Sequence, residues 1–248
     1  MSILDAYDEE KEILSPAEMV RPVEGMPSVA LVTFKEQILR LARRIEGACP
    51  LCTLSAGFEL PVLRVPFGGS FFAVYQTLIG AASSAALMEE MAARGVRKFV
   101  FFGSCGALAP LPGGHVIVPT AAYRDEGVSY HYAPPGDYIE VPTAGRLAGI
   151  LESLGVPFIA GKVWTTDAFY RETRRKADAR RREGCVAVEM ECAALTAVAR
   201  FRGFEVYQFL YTEDSLAGES WDRGLMGRVP ESAHESYLNL ALSVAARL

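Results

Sequence analysis

The sequence is poor in the features that mark membrane, secreted and metal-binding proteins. Its 248 residues include only three histidines, and no uninterrupted apolar run is long enough to cross a lipid bilayer. The five cysteines are odd in number and scattered, which does not make a disulfide framework. The acidic amino-terminal residues lack the basic start and apolar core of a signal peptide, so we expect a cytoplasmic protein.

Metal and nucleic-acid binding are disfavoured as well. Cys49 and Cys52 have C-x-x-C spacing, but no second pair follows and the histidines lie far apart, so we expect no metal and no cofactor. A formal net charge of −5 argues against a nucleic-acid partner, although it permits a local anion site. The basic run over residues 171–182 is typical of a solvated helix face, with nucleic-acid binding as the alternative.

Apolar residues, by contrast, are plentiful. They make up 50% of the chain, enough to bury a large core, and short apolar runs alternate with helical patterns. We therefore predict an α/β protein with an N-terminal arm over residues 1–26, which are acidic and then interrupted by proline and glycine. A single domain follows over residues 27–248.

Two carboxylates, Glu189 and Glu191, stand inside the apolar run 186–195, where an unpaired charge is costly to bury. The run is typical of a short strand that passes into a helix. Ligands of open α/β sheets bind beyond the carboxyl ends of strands, and a carboxylate there can accept hydrogen bonds from a diol such as the 2′ and 3′ hydroxyls of a ribose. The alternative is that both carboxylates suit the positive end of the helix.

Three other predicted strand ends carry polar or small residues. The loop 103–108 follows a buried strand, where its glycines let a ligand approach and Ser104 can bond an oxygen; a plain turn is the alternative. Residues 165–170 place aromatic rings beside hydroxyls, as a flat base would need. Asp214 ends the last strand and is a candidate general acid, or else a turn or cap residue.

Together these four motifs resemble the nucleoside phosphorylase superfamily, most closely its uridine phosphorylase-like branch. The resemblance implies a three-layer α/β/α subunit with a mixed, partly barrel-like central sheet. It also implies an enzyme that cleaves the N-glycosidic bond of a nucleoside and forms a homo-oligomer, a dimer or a hexamer, with sites near subunit interfaces. The partner is then a small nucleoside rather than nucleic acid or a membrane.

The resemblance also implies roles for individual residues. It assigns the ribose to Glu191 and Met190, the base to Phe169, Cys105, Gly106 and Arg175, and the phosphate to Ser104. Asp214 would face the base edge, where an aspartate of purine-cleaving relatives protonates the leaving base. The products would be free base and ribose 1-phosphate, with inorganic phosphate as the co-substrate.

The chain departs from the family pattern at the phosphate site. Phosphorolytic relatives carry a Gly-Asp-Pro-x-Arg loop after the first strand and an arginine two residues before the Gly-Ser loop; here these places hold residues 33–37 and Phe101. Losing two guanidinium groups removes the bidentate bonds that best hold a phosphate dianion. The glutamine with which uridine phosphorylases read a pyrimidine is replaced by Thr173.

Three functions therefore stay open. The first is a phosphorylase with substitute cations such as Lys35, Arg124 or an arginine of a neighbouring subunit. The second is a hydrolytic nucleosidase in which Glu36 activates water. The third is a non-catalytic nucleoside-binding protein.

Overall fold

The computed structural model describes residues 2–248. Its strands are β1 (Val29–Thr33), β2 (Cys49–Ser55), β3 (Glu59–Phe67), β4 (Ser70–Gln76), β5 (Lys98–Ala107), β6 (Val116–Asp125), β7 (Tyr138–Glu140), β8 (Phe158–Thr166), β9 (Cys185–Glu189) and β10 (Glu205–Ser215). Its helices are α1 (Pro16–Met19), α2 (Glu36–Arg44), α3 (Ala81–Arg94), α4 (Ser129–Tyr132), α5 (Ala144–Ser153), α6 (Arg174–Arg182), α7 (Cys192–Arg202) and α8 (Glu231–Ala245). Short 3-10 helices cover Ile3–Asp5 and Phe169–Arg171.

The strands form one mixed sheet in the order β10, β6, β8, β9, β5, β1, β4, β3, β2, with β7 beside β6. Because β10 also pairs with β5, the strands β5, β10, β6, β8 and β9 close into a barrel, and β1, β4, β3 and β2 extend from β5 as an open sheet. β1 runs parallel to both β4 and β5, whereas β3 is antiparallel to both its neighbours. The mixed, partly barrel-like sheet expected from the resemblance is confirmed.

Helices cover both faces of this sheet. α2 and α8 pack on one face, and α3 and α7 on the other. Successive side chains of a strand point to opposite faces, so the central strand β5 serves both cores. Val100 and Phe102 are fully buried in the first core, and Phe99 and Phe101 are fully buried in the second. Burial on both faces explains why this strand is a continuous apolar run rather than an alternating one.

The residues before β1 lie against the layer of α3 and α7. Arg202, in the last turn of α7, donates to the Glu12 carboxylate at 2.8 Å, and the Val23 N–H donates to the Arg94 carbonyl at 3.0 Å. The division into an arm over 1–26 and a domain over 27–248 stays a proposal. Across residues 2–248, no helix combines the length and the apolar character that crossing a membrane requires.

Candidate active site

The candidate site lies where β5, β9 and β10 meet at the rim of the barrel. β5 and β10 are parallel, and Gly106 lies opposite Asp214, after a bulge that displaces Glu213. β9 runs antiparallel to β5 and sets Val188 opposite the same glycine. Gly106 therefore has Val188 on one side and Asp214 on the other, which brings three of the sequence motifs to one place.

Glu189 serves the helix rather than a ligand. Its Oε2 accepts hydrogen bonds from the backbone N–H groups of Glu191 and Cys192, at 2.8 and 2.7 Å, and its Oε1 accepts one from the Thr165 hydroxyl. These contacts satisfy the free N–H groups of the first turn of α7 and place a negative charge at its positive end. The helix-end interpretation is thus correct for this carboxylate.

Glu191 has few partners for a buried acid. Its side chain is 6% exposed, and Oε1 accepts the Gly80 N–H at 2.6 Å. Burial, and then the charge of Glu189, raise its pKa. No cation pairs with it within residues 2–248, so it retains acceptor positions for further donors. Met190 lies beside it, half-buried. This geometry suits a diol ligand, and the ribose role of both residues stays a prediction.

Gly106 is closely surrounded, so a residue with a side chain would force its neighbours to shift. A Cβ atom added there would lie 2.9 Å from Leu216 Cδ1, 3.0 Å from Val188 Cγ1 and 3.3 Å from Asp214 Oδ1. The neighbouring Cys105 is buried, and burial raises the pKa of its thiol, which is therefore neutral. Gly106 is therefore bordered by apolar atoms of Leu216 and Val188 and by the carboxylate of Asp214, a combination that suits the edge of a base.

Asp214 lies between two residues that the sequence did not single out. Its Oδ2 accepts a hydrogen bond from the Trp221 indole at 2.7 Å. Burial raises the pKa of Asp214, while the Trp221 hydrogen bond lowers it. Glu172 is half-buried nearby, and burial followed by the charge of Asp214 raises its pKa to about 7. A carboxyl group with a raised pKa in a cleft is suited to proton transfer near neutral pH.

The two other residues that the resemblance assigns to the base, Phe169 and Arg175, lie in different surroundings. Phe169 is 46% exposed on the 3-10 helix and lies against Tyr170, with ring centroids 4.0 Å apart. Arg175 instead lines a cavity of about 190 Å³ with Asp125 and Trp164, and within residues 2–248 it makes no hydrogen bond or ion pair with Asp214. Thr173 caps the N-terminus of α6, because its Oγ1 accepts a hydrogen bond from the Lys176 N–H at 3.4 Å.

The phosphate end of the site is occupied by aromatic rings. Ser104 is half-buried, but the Phe34 ring packs so closely on Gly103 that a Cβ atom there would lie 2.6 Å from it. Phe101 is fully buried, and its ring centroid lies 6.4 Å from that of Phe34. The loss of the family arginines is thus accompanied by apolar packing beside Ser104.

The cations and the base suggested as substitutes have other partners. Lys35 Nζ lies 2.9 Å from Oε2 of the buried Glu213. Arg124 is buried and donates to the Ser129 hydroxyl and to backbone carbonyls of the loop 133–136, so it holds that loop. The Glu36 side chain is 67% exposed and faces Arg40 of its own helix at 3.7 Å. The structure does not bring Glu36 into contact with Glu191 or Asp214.

The side chains that sequence reasoning missed are Trp221 and Glu172. Trp221 follows Asp214 by seven residues in a segment of small and polar residues, which gives no periodic signal. Glu172 lies within the basic run, so the sequence pattern favours a place on the solvated face of a helix. Within residues 2–248, no group of three or more His, Cys, Asp or Glu side chains is arranged to hold a metal ion, and all five cysteines are free.

Known proteins with similar sequences and folds place the chain in one family. A sequence model of the phosphorylase superfamily matches residues 49–245. Guanosine phosphorylase of Halorubrum lacusprofundi is 28% identical over 202 residues, covering 78% of this chain and 83% of that protein. Uridine phosphorylase of Escherichia coli is 32% identical over 124 residues, which is 47% of each chain.

A solved structure shows the same fold. The purine nucleoside phosphorylase of Toxoplasma gondii, in complex with immucillin-H, matches with a TM-score of 0.74 and 23% identity, over 93% of this chain and 92% of that one. The prediction of an enzyme of the nucleoside phosphorylase kind, a pentosyltransferase, is confirmed at the level of the family. The chain belongs to the phosphorylase superfamily, as its four ordered motifs predicted.

Proposed function

We propose that this protein cleaves the N-glycosidic bond of a purine nucleoside with inorganic phosphate, giving the free base and ribose 1-phosphate. The observation that carries the proposal is the placement of Glu191 and Asp214 at one rim of the barrel, with Gly106 on β5 between the neighbouring strands β9 and β10. The relative named guanosine phosphorylase supports the same substrate class. Phosphate is the only co-substrate in this proposal, the enzyme needs no cofactor, and it acts in the cytoplasm.

The two carboxyl groups divide the chemistry between sugar and base. The ribose hydroxyls donate to Glu191, which holds the sugar in place as the bond breaks. The electron pair of the glycosidic bond leaves with the base. Protonated Asp214 donates its proton to a ring nitrogen, so the base departs neutral and phosphate attacks the anomeric carbon. Phe169, Cys105 and Gly106 line the base, and Met190 packs on the sugar.

Phosphate binding must use groups other than the two missing arginines. Ser104 contributes its hydroxyl, and Lys35 is a substitute cation in the segment that replaces the missing Gly-Asp-Pro-x-Arg loop. Lys35 also lines a cavity of about 320 Å³ with Arg40 and Arg44, and each of these three cations is paired with a carboxylate that an incoming phosphate would have to displace. An arginine of a neighbouring subunit completes the site in our proposal, which therefore includes a homo-oligomer, a dimer or a hexamer.

Hydrolysis is the second candidate, and one observation favours it. Phe34 and Phe101 fill the side of the Ser104 loop with apolar rings, and an apolar wall is a poor partner for a phosphate dianion. Water is small and neutral, so it needs no cationic cradle. In this version Glu36 would activate the water after leaving its exposed position beside Arg40.

One experiment separates the candidates. Base release is measured by chromatography from a panel of purine and pyrimidine nucleosides, with and without phosphate, for wild type, Asp214→Asn and Glu36→Gln. We expect release from purine nucleosides only with phosphate, with a loss of about 100-fold or more in Asp214→Asn and none in Glu36→Gln. Release without phosphate that depends on Glu36 would establish the hydrolase, and no release from any nucleoside would reject both enzymes in favour of a binding protein.

A further inference from the structure

Trp221 makes the only side-chain hydrogen bond that Asp214 receives within residues 2–248. Its indole Nε1 donates to Oδ2 of Asp214 at 2.7 Å. The ring is 55% exposed, so core packing does not hold it in place. Because burial does not fix the Trp221 ring, its position depends on this hydrogen bond and on the loop that carries it.

The loop that carries Trp221 is fixed at several points. The backbones of Ser215 and Asp222 exchange two hydrogen bonds, at 2.8 and 2.9 Å, which closes a small hairpin around it. Arg174 donates to the carbonyls of Leu216 and Glu219 at 3.1 and 2.8 Å, and Arg181 donates to that of Ala217 at 2.7 Å. Two arginines of the basic run therefore brace this loop. The prediction of a solvated helix face is wrong for these two residues.

The hydrogen bond decides which oxygen of Asp214 can carry a proton. An N–H group that already points at Oδ2 leaves that oxygen as an acceptor, so an added proton belongs on Oδ1. Oδ1 is the oxygen that lies 3.3 Å from the position of a Cβ atom on Gly106, so it faces the residue that lines the base in the proposed function. The geometry thus directs the acid proton towards the space where the leaving base would be.

We propose that Trp221 is a positioning residue that confines the acid proton of Asp214 to Oδ1. This inference rests on the proposed function, in which Asp214 protonates the leaving base. During the reaction the proton passes from Oδ1 to a ring nitrogen of the base, which keeps the electron pair of the broken bond. Asp214 becomes a carboxylate, and the indole N–H stabilises the new negative charge on Oδ2.

Several titratable groups face Asp214, and only Trp221 contributes a side-chain hydrogen bond to it. They are Glu172 beside α6, Asp222 in the loop, and Cys105 on β5. A hydrogen bond to the charged form of an acid lowers its pKa, so removal of the indole N–H raises the pKa of Asp214. An acid that must be protonated then stays active to higher pH.

The test is the Trp221→Phe variant, which keeps an aromatic ring and removes the N–H. We expect kcat to fall about tenfold while KM changes little, because the proton is no longer confined to one oxygen. The alkaline limb of the kcat/KM profile should move to higher pH by roughly half to one unit. Ser220→Ala, an exposed neighbour in the same loop, is the matched control and should behave as wild type.

The inference is overturned if the alkaline limb does not move, or if Trp221→Phe lowers kcat as much in an Asp214→Asn background as in wild type. The second outcome would mean that the tryptophan acts through the loop and not through the acid. Because Trp221 is exposed, we expect both loop variants to keep the melting temperature of wild type.

A readout without turnover separates this inference from the proposed function. The chain has two tryptophans, and the indole N–H signal of Trp221 in a nitrogen-15 spectrum is the one that disappears in Trp221→Phe. We expect this signal to shift as Asp214 titrates and to stop titrating in Asp214→Asn. A titrating indole in a protein without activity would uphold the hydrogen bond and reject the function, whereas an indole indifferent to Asp214→Asn would reject the inference itself.

Discussion

Substitution of Glu191 by glutamine is the sharpest single test of the proposed ribose site. The amide oxygen can keep the hydrogen bond from the Gly80 N–H, which is 2.6 Å long in the wild type, so the fold around α3 should be preserved. What changes is the other end of the side chain. A charged acceptor becomes an NH2 donor, which cannot accept a hydrogen bond from a ribose hydroxyl.

The size of the effect follows from the kind of bond that is lost. A hydrogen bond to a charged group contributes about 1.5–3 kcal/mol, and about 1.36 kcal/mol corresponds to a tenfold change in rate. We therefore expect kcat/KM for a purine ribonucleoside to fall about 10- to 150-fold in Glu191→Gln. A 2′,3′-dideoxynucleoside has neither hydroxyl, so its already low kcat/KM should change less than about threefold.

The assay is base release in the presence of phosphate, with both substrates and both proteins. Glu152→Gln, an exposed glutamate on α5, is the control for a lost negative charge. An equal loss for the ribonucleoside and the dideoxynucleoside would refute the reasoning, because it would place the effect of Glu191 in the folded structure and not in its contact with the sugar.

The same variant has a predicted effect on stability. Burial, followed by the charge of Glu189, raises the pKa of Glu191 above its ordinary 4.5, so above pH 4.5 the native state binds more protons than the unfolded chain. The contribution of this group to stability is therefore complete below pH 4.5 and declines as the pH rises through the raised pKa. Glu191→Gln should gain more melting temperature over wild type at alkaline pH than at pH 5.

Three further predictions test the surroundings of the site. Gly106→Ala should raise KM for the nucleoside severalfold and leave KM for phosphate unchanged, because the new methyl group meets Leu216 and Val188 at 2.9 and 3.0 Å; a higher KM for phosphate instead would contradict this. Glu189→Ala should lower the free energy of unfolding by about 2–4 kcal/mol in denaturant titrations, because the first turn of α7 loses its acceptor. A stability within about 0.5 kcal/mol of wild type would show that water replaces that acceptor. Arg181→Gln should weaken the hold on the Trp221 loop and increase proteolysis within residues 216–224, while an unchanged cleavage rate would count against a bracing role.

The local pattern of the sequence predicts much of the fold and some of the site. The apolar run at 99–102 indicated a buried strand, and the structure buries it on both faces. The loop expected at 103–108 is wrong for residues 103–107, which continue β5 and whose glycines are closely packed. Asp214 and Glu191 were selected because a carboxylate beside apolar residues requires an explanation. These inferences depend on residues close together in the chain, where periodicity and the cost of burial act directly.

The sequence also left one ambiguity that only contacts resolved. Glu189 and Glu191 stand two residues apart in the same motif, and composition treats them alike. In the structure Glu189 accepts hydrogen bonds from N–H groups of the first turn of α7. Glu191 instead accepts one from the N–H of Gly80, which lies 111 positions away in the chain.

The sequence alone therefore predicted the family and singled out the two carboxylates, whose roles stay predictions. The tertiary structure decided which partners those residues have: the indole on Asp214, Glu213 on Lys35 across 178 positions, and the Phe34 ring on Gly103. The physical reason is that β5 pairs with both β1 and β10, which brings Phe34 to Gly103 and Glu213 to Lys35, while the bridge between Ser215 and Asp222 folds the indole back onto Asp214. Pairing between distant strands sets which side chains meet, and no local pattern of residues records that choice.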